Sequence, residues 1–148
     1  MKYPSSLRCK GDERQRQIRM KRHLAFTNEP IDEPSLVAER NASGDMGAAV
    51  CFSGIVRWRE GAATIKGLDY EAFREMAERQ FHLIFDQVQG RWPIESIRVI
   101  HRLGRVEAGV ASLWVEVVGP HRGESFAACQ FVIDEMKRLV PIWKKPIL

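Results

Sequence analysis

The chain has 148 residues, of which 45% are hydrophobic and 28% are charged, and its formal net charge is +4. This length suits one domain with a substantial core, and no apolar run approaches the roughly 20 residues that a membrane-spanning helix needs. A cytoplasmic protein that has no membrane partner is therefore expected.

The positive charge is concentrated at the N-terminus. Residues 1–23 contain eight Lys or Arg and two Asp or Glu, whereas residues 24–148 carry a net charge of −2. A basic segment can contact nucleic acid, but this one has little apolar surface to bury. We therefore expect residues 1–23 to be a disordered extension without a nucleic-acid partner, and residues 24–148 to be the folded domain. An alternative is that translation begins at Met20.

The predicted elements alternate irregularly between strands and helices along the chain. The two main helices, residues 71–89 and 125–140, have apolar residues at three- and four-residue steps. The second helix should end at Val140, because the residue before a proline avoids the helical region. A short helix is predicted within residues 32–40, and the predicted strands are 48–58, a strand near 65–70, 96–104 and 111–119. This pattern indicates an α+β fold with a mainly antiparallel sheet.

Several familiar kinds of chemistry do not fit the sequence. It contains no G-x-S-x-G, P-loop, G-x-G-x-x-G or H-E-x-x-H motif, and its four histidines lack the spacing of metal ligands. The three cysteines are far apart, which argues against a disulfide framework or a zinc site, and Cys51 and Cys129 are expected to be small buried residues. What remains is a set of cations, which suits an anionic substrate whose reactive group arrives from elsewhere.

One pair of basic residues precedes the second main helix. His121 and Arg122 lie where unpaired backbone amides and the helix dipole favour an anion, and Arg122 adds a planar fork of donors. An equally good interpretation is structural, with His121 capping a turn and Arg122 paired with Glu124.

Three lysines surround the end of the same helix. Lys137 lies at the edge of the apolar stripe, where its stem is half-buried, although a lysine also complements the helix C-terminus. Lys144 and Lys145 follow a rigid corner at Pro141 and Trp143. The alternative for these two residues is a solvated basic terminus.

Six short segments form a recognisable pattern when they are taken in order. They are FSGIVR at 52–57, LDYEAFREMA at 68–77, RWP at 91–93, IHRLG at 100–104, PHR at 120–122 and IDEMKRLVPIWKK at 133–145. Together they resemble the large, catalytic subunit of molybdopterin synthase over about residues 24–145.

The resemblance implies an α/β hammerhead fold and a homodimer of this chain with a small ubiquitin-like subunit at each end. The small subunit would bring a C-terminal Gly-Gly thiocarboxylate, and two sulfurs would pass in turn to cyclic pyranopterin monophosphate, forming the dithiolene of molybdopterin. No metal or cofactor is required by this chemistry.

The resemblance also assigns residues by motif position. Lys137 and Lys144 are implied as catalytic residues, and the implied substrate-binding residues are Arg57, His121, Arg122 and Lys145. The family's sequences continue past the position of Leu148. An alternative is therefore a family-derived binding subunit that docks the small sulfur carrier with little or no turnover.

Overall fold

The computed structural model describes residues 19–148, which form two sheets, a small hairpin and three helices. The helices are α1 (Glu33–Ala38), α2 (Arg74–Arg91) and α3 (Arg122–Leu139). The strands are β1 (Lys21–Thr27), β2 (Ala48–Ile55), β3 (Arg59–Glu60), β4 (Ala63–Thr64), β5 (Gly67–Ala72), β6 (Ser96–Arg102), β7 (Gly104–Glu107), β8 (Ala111–Gly119) and β9 (Ile142–Ile147).

Most of the strand pairing is antiparallel. The larger sheet has the order β1–β6–β8–β2, in which only the β1–β6 pair is parallel. The smaller sheet has the order β7–β5–β9, and β3 pairs with β4 as the hairpin. The predicted α+β class with a mainly antiparallel sheet and two main helices is confirmed.

The principal core lies between the larger sheet and the two long helices. Phe81, Phe85 and Val88 of α2 are fully buried with Val115 and Val117 of β8, in a cluster that also takes in the inner residues of α3. Burial of these side chains supplies the main stabilisation, at about 25 cal/mol for each Å² of apolar surface removed from water. None of the helices within residues 19–148 is long and apolar enough to cross a membrane.

A buried carboxylate organises the opposite face of the larger sheet. Glu116 of β8 is 1% exposed, and it accepts hydrogen bonds from Nε of Arg40 at 2.7 Å and Nε of Arg98 at 2.9 Å. Arg98 also donates to the backbone oxygen of Leu36, which ties α1 to the sheet. A buried charge is tolerated only with such partners. The network therefore fixes the position of α1 and of Arg40, which precede β2 in the chain.

Cys51 shares this face with Glu116, its direct partner on the neighbouring strand. The expectation that Cys51 is buried is wrong, because it lies on the edge strand β2 and faces outward beside Arg40. Cys129 of α3 is buried as expected, and burial raises the pKa of its thiol to about 11.

Strand β1 was not predicted from the sequence. Met20 is 2% exposed in the core, and β1 starts at Lys21, so the fold includes residues that were assigned to the N-terminal extension. This basic segment has no local pattern typical of a strand. It becomes one by pairing with β6, which lies some 75 residues away in sequence. The expectation for residues 1–18 lies outside the described residues.

The end of α3 turns the chain directly into the smaller sheet. Val140 is buried with an extended backbone, Pro141 follows, and β9 then pairs with β5. The predicted helix end is confirmed. The segment after Pro141, expected to be a rigid corner, is a strand that continues through Lys144 and Lys145.

Candidate active site

A cleft of about 620 Å³ opens where the two sheets meet the C-terminal end of α3. Its walls come from β2, β5, β6, β8 and β9, from the last turn of α3 and from the segment that leads into β3. Apolar side chains such as Phe52, Leu68 and Met136 supply much of this surface. An ion inside such a cleft has less water around it, which strengthens its interaction with charged side chains.

Three of the residues assigned from the sequence line this cleft: Arg57, Lys137 and Lys144. Arg57 follows β2, Lys137 lies in the last turn of α3, and Lys144 lies in the middle of β9. The fold therefore brings together cations that are up to 87 positions apart in sequence.

Lys144 already has an acidic partner. Its Nζ atom lies 3.1 Å from Oε1 of Glu60, which also lines the cleft. Lys144 is the direct partner of Tyr70 across the β5–β9 pair, so both side chains stand on the same face of the smaller sheet. Strand pairing thus fixes the direction in which Lys144 enters the cleft.

Lys145 is not brought to the cleft. Successive residues of a strand point to opposite faces, and Lys145 pairs with Asp69 on the outer face of the smaller sheet. It is absent from the lining of the cleft, which in the described part of the chain includes Lys144 but not its neighbour.

His121 and Arg122 lie at the other end of α3. With a rise of about 1.5 Å per residue, the 15 positions from Arg122 to Lys137 span about 22 Å. His121 makes no capping hydrogen bond with its side chain, and its Nδ1 atom is 3.5 Å from Oε2 of Glu124. Neither residue lines the cleft, so one chain presents two separate groups of cations.

The cleft also contains polar residues that the sequence did not single out. The hydroxyl groups of Tyr70 and Ser112 lie 3.1 Å apart, and the Tyr70 ring meets the His101 ring edge-on with their centroids 5.3 Å apart. The sequence predicted a strand over residues 96–104, but nothing in that pattern showed that His101 lies at a cleft.

His101 is held in one orientation and one protonation state. It is 4% exposed, and its Nδ1 atom lies 2.8 Å from the backbone oxygen of Arg102. A carbonyl oxygen only accepts, so Nδ1 must carry the proton and donate it. Burial lowers the pKa of His101 below the ordinary value of 6.5, which favours the neutral ring with an unprotonated Nε2.

Comparison with known sequences decides the family. The sequence model of the MoaE protein family matches residues 26–139. The chain belongs to the MoaE family. A MoaE relative from Nostoc sp. (strain PCC 7120), named molybdopterin synthase catalytic subunit, is 36% identical over 123 residues, which is 82% of this chain and 73% of the relative. The family resemblance inferred from the six segments is confirmed.

Solved structures agree with this assignment. The crystal structure of molybdopterin synthase from Staphylococcus aureus has a TM-score of 0.74 at 32% identity, covering 82% of this chain and 88% of that chain. A structure from Helicobacter pylori, a complex of subunits 1 and 2 of molybdopterin-converting factor, has a TM-score of 0.69 at 24% identity, covering 84% and 88%. The second likeness supports the MoaE fold alone.

The burial of His101 predicts a pH dependence of stability. In the unfolded chain His101 takes up a proton near pH 6.5, whereas the folded protein keeps it neutral to a lower pH. The unfolded state therefore binds more protons in this window, and the free energy of unfolding should fall as the pH falls from 7 to 5. Urea titrations should show a shallower fall for His101→Gln. Equal slopes for the two proteins would contradict a buried neutral ring.

Proposed function

We propose that this chain is the catalytic subunit of a molybdopterin synthase and that sulfur transfer takes place in the cleft lined by Arg57, Lys137 and Lys144. The observation that carries the proposal is the convergence of these three cations in one cleft. The named relatives are catalytic subunits, which favours turnover over the alternative of a binding subunit. The cytoplasmic location remains a prediction.

The charge of the cleft suits both proposed reactants. Cyclic pyranopterin monophosphate carries a phosphate, and the sulfur donor is a thiocarboxylate, so both are anions. Cations that converge in one cleft bind such groups and stabilise negative charge that develops during transfer. We assign Lys137 and Lys144 to catalysis and Arg57 to substrate binding. The Lys144–Glu60 ion pair holds the lysine in place until an anionic reactant takes over as its partner.

The sulfur has to come from another molecule. Cys51 and Cys129, the free cysteines of the described residues, do not line the cleft, so no thiol of residues 19–148 is placed to donate. A small ubiquitin-like carrier with a C-terminal Gly-Gly thiocarboxylate fits this requirement, because a thin, flexible tail can enter a cleft that a folded domain cannot.

A second copy of the chain would reconcile the two groups of cations. His121 and Arg122 are too far from Lys137 for one small substrate to touch both groups on the same chain. In a homodimer with two-fold symmetry, each copy can place its α3 N-terminus at the cleft of the other. We therefore propose that His121 and Arg122 bind substrate in the partner's cleft. Lys145 faces away from the cleft of its own chain, so we do not assign it to substrate binding there.

Replacement of Lys137 tests the assignment of the cleft. Lys137→Ala should lower the rate of molybdopterin formation at least about 100-fold, the usual cost of removing one group that stabilises a transition state. The side chain is exposed, so the free energy of unfolding should change by only about 0.5 kcal/mol. The assay combines the chain with thiocarboxylated carrier and cyclic pyranopterin monophosphate. A variant that unfolds, or one that keeps full activity, would contradict a catalytic role.

Adjacent lysines on β9 provide a matched pair. Lys144→Gln removes a charge from the cleft, whereas Lys145→Gln removes the same charge from the other face of the same strand. Single-turnover sulfur transfer should slow at least about 100-fold in Lys144→Gln and change by no more than about twofold in Lys145→Gln. Equal, small effects would mean that both lysines form only a solvated basic surface.

Mixing two inactive variants tests the shared site. If Lys137 of one copy acts with Arg122 of the other, a mixed dimer of Lys137→Ala and Arg122→Ala chains has one intact site. Random assembly of equal amounts should then restore about a quarter of wild-type activity, because half of the dimers are mixed and each has one working site of two. No recovery, or an Arg122→Ala variant that is fully active by itself, would contradict the proposal.

A further inference from the structure

The cleft holds one base whose role is unassigned. Nδ1 of His101 is engaged with the backbone oxygen of Arg102, and Nε2 makes no hydrogen bond with residues 19–148. Although it has no partner, Nε2 is not fully buried and can be reached from outside the ring. Because the residue is 96% buried and lines the cleft, the small exposed part of the ring, which includes Nε2, faces the cleft.

Nε2 differs chemically from every other nitrogen at this site. The other basic side chains that line the cleft in the described part of the chain are Arg57, Lys137 and Lys144. Their charged forms donate hydrogen bonds and have no lone pair to accept a proton. The neutral His101 ring does have one, and burial holds its pKa low enough for this form to predominate at pH 7.

The proposed reaction needs such an acceptor. This step rests on the proposed function. When the sulfur of a thiocarboxylate bonds to a substrate carbon, it remains bonded to the acyl carbon of the carrier, and the product is a thioester. The carrier leaves only when water breaks the acyl–sulfur bond, and water is a weak nucleophile unless a base takes its proton.

We propose that His101 is the base that accepts a proton, at Nε2, from the water that cleaves the thioester between carrier and substrate. The water oxygen bonds to the acyl carbon, and one water proton passes to Nε2. The carbon–sulfur bond breaks, its electron pair stays on the sulfur that remains with the substrate, and the carrier leaves as a carboxylic acid. That acid and the imidazolium then lose their protons to solvent.

The surroundings of His101 support this role. The charged and titratable groups that share the cleft with it are Tyr70 from β5, Glu60 from β3, Lys137 from α3, Lys144 from β9 and Arg57. Phe26 from β1 packs against the ring, and Leu113 of β8 pairs with His101; both are uncharged. Burial disfavours a positive charge on the ring, so Nε2 returns its proton readily after each cycle.

Glu60 is the rival base, because a carboxylate can also accept a proton. Its Oε1 atom lies 3.1 Å from Nζ of Lys144, so the carboxylate already has a partner, and a third of its side chain is exposed. The comparison of His101→Gln with Glu60→Gln therefore distinguishes the two. Glutamine at 101 keeps hydrogen-bonding groups but cannot take up a proton near neutral pH.

The test is a single-turnover reaction of the chain with thiocarboxylated carrier and cyclic pyranopterin monophosphate, quenched at intervals and analysed by mass spectrometry. In His101→Gln the carrier–substrate thioester should form at the wild-type rate and then persist, with hydrolysis slowed about 100-fold or more. His82→Gln, which changes an exposed histidine of α2 outside the cleft, is the matched control and should hydrolyse the adduct normally.

The pH profile provides a second measurement that does not depend on the variant folding. Wild-type hydrolysis of the thioester should be at its plateau at pH 7 and should fall as the pH is lowered through the depressed pKa of His101. His101→Gln should lack this fall.

A wild-type profile that stays flat down to the pH at which the protein unfolds would overturn the inference, and so would normal hydrolysis in His101→Gln or accumulation of the adduct in Glu60→Gln alone. Failure of the wild type to form any adduct or molybdopterin would instead contradict the proposed function.

Discussion

The break between α3 and β9 is the constraint on which the cleft depends. Pro141 cannot continue the helix, so the chain leaves α3 at Val140 and enters the smaller sheet two residues later. This places Lys137, in the last turn of the helix, and Lys144, in the strand, on either side of one turn and facing the same space. A longer helix would carry the segment after residue 140 away from β5, and the two lysines would no longer converge.

Local signals in the sequence predicted much of this arrangement, and pairing between distant segments supplied the rest. The helix end at Val140 follows from the neighbouring proline, and the long helices follow from their apolar spacing. Strand β9 could not be predicted in the same way, because its residues become a strand only by pairing with β5, 70 to 80 positions earlier. The same pairing decides that Lys144 enters the cleft and that Lys145 does not, although the sequence presents them as equivalent neighbours.

The distance between the two groups of cations is also set by the fold and not by local sequence signals. Motif position assigned His121 and Arg122 to the same substrate as Lys137, and the length of α3 separates them. A rigid helix of 18 residues cannot bend to bring its ends together, so the assignment holds only if another copy of the chain completes the site. The sequence of one chain contains no signal for this, because the contact would be made between copies and not within the fold.

Burial explains why a histidine can remain a base in this cleft. Removal of the charged ring from water is costly, and this lowers the pKa of His101 below its ordinary value. His101 is buried behind Tyr70, with its Nδ1 proton held by a backbone oxygen, so both its surroundings and its hydrogen bond keep Nε2 free. In the proposed mechanism, binding of two anionic reactants and acceptance of a proton fall to different side chains. Each of these side chains would be less suited to the other role, because a protonated histidine is no base and a neutral lysine no longer attracts a phosphate.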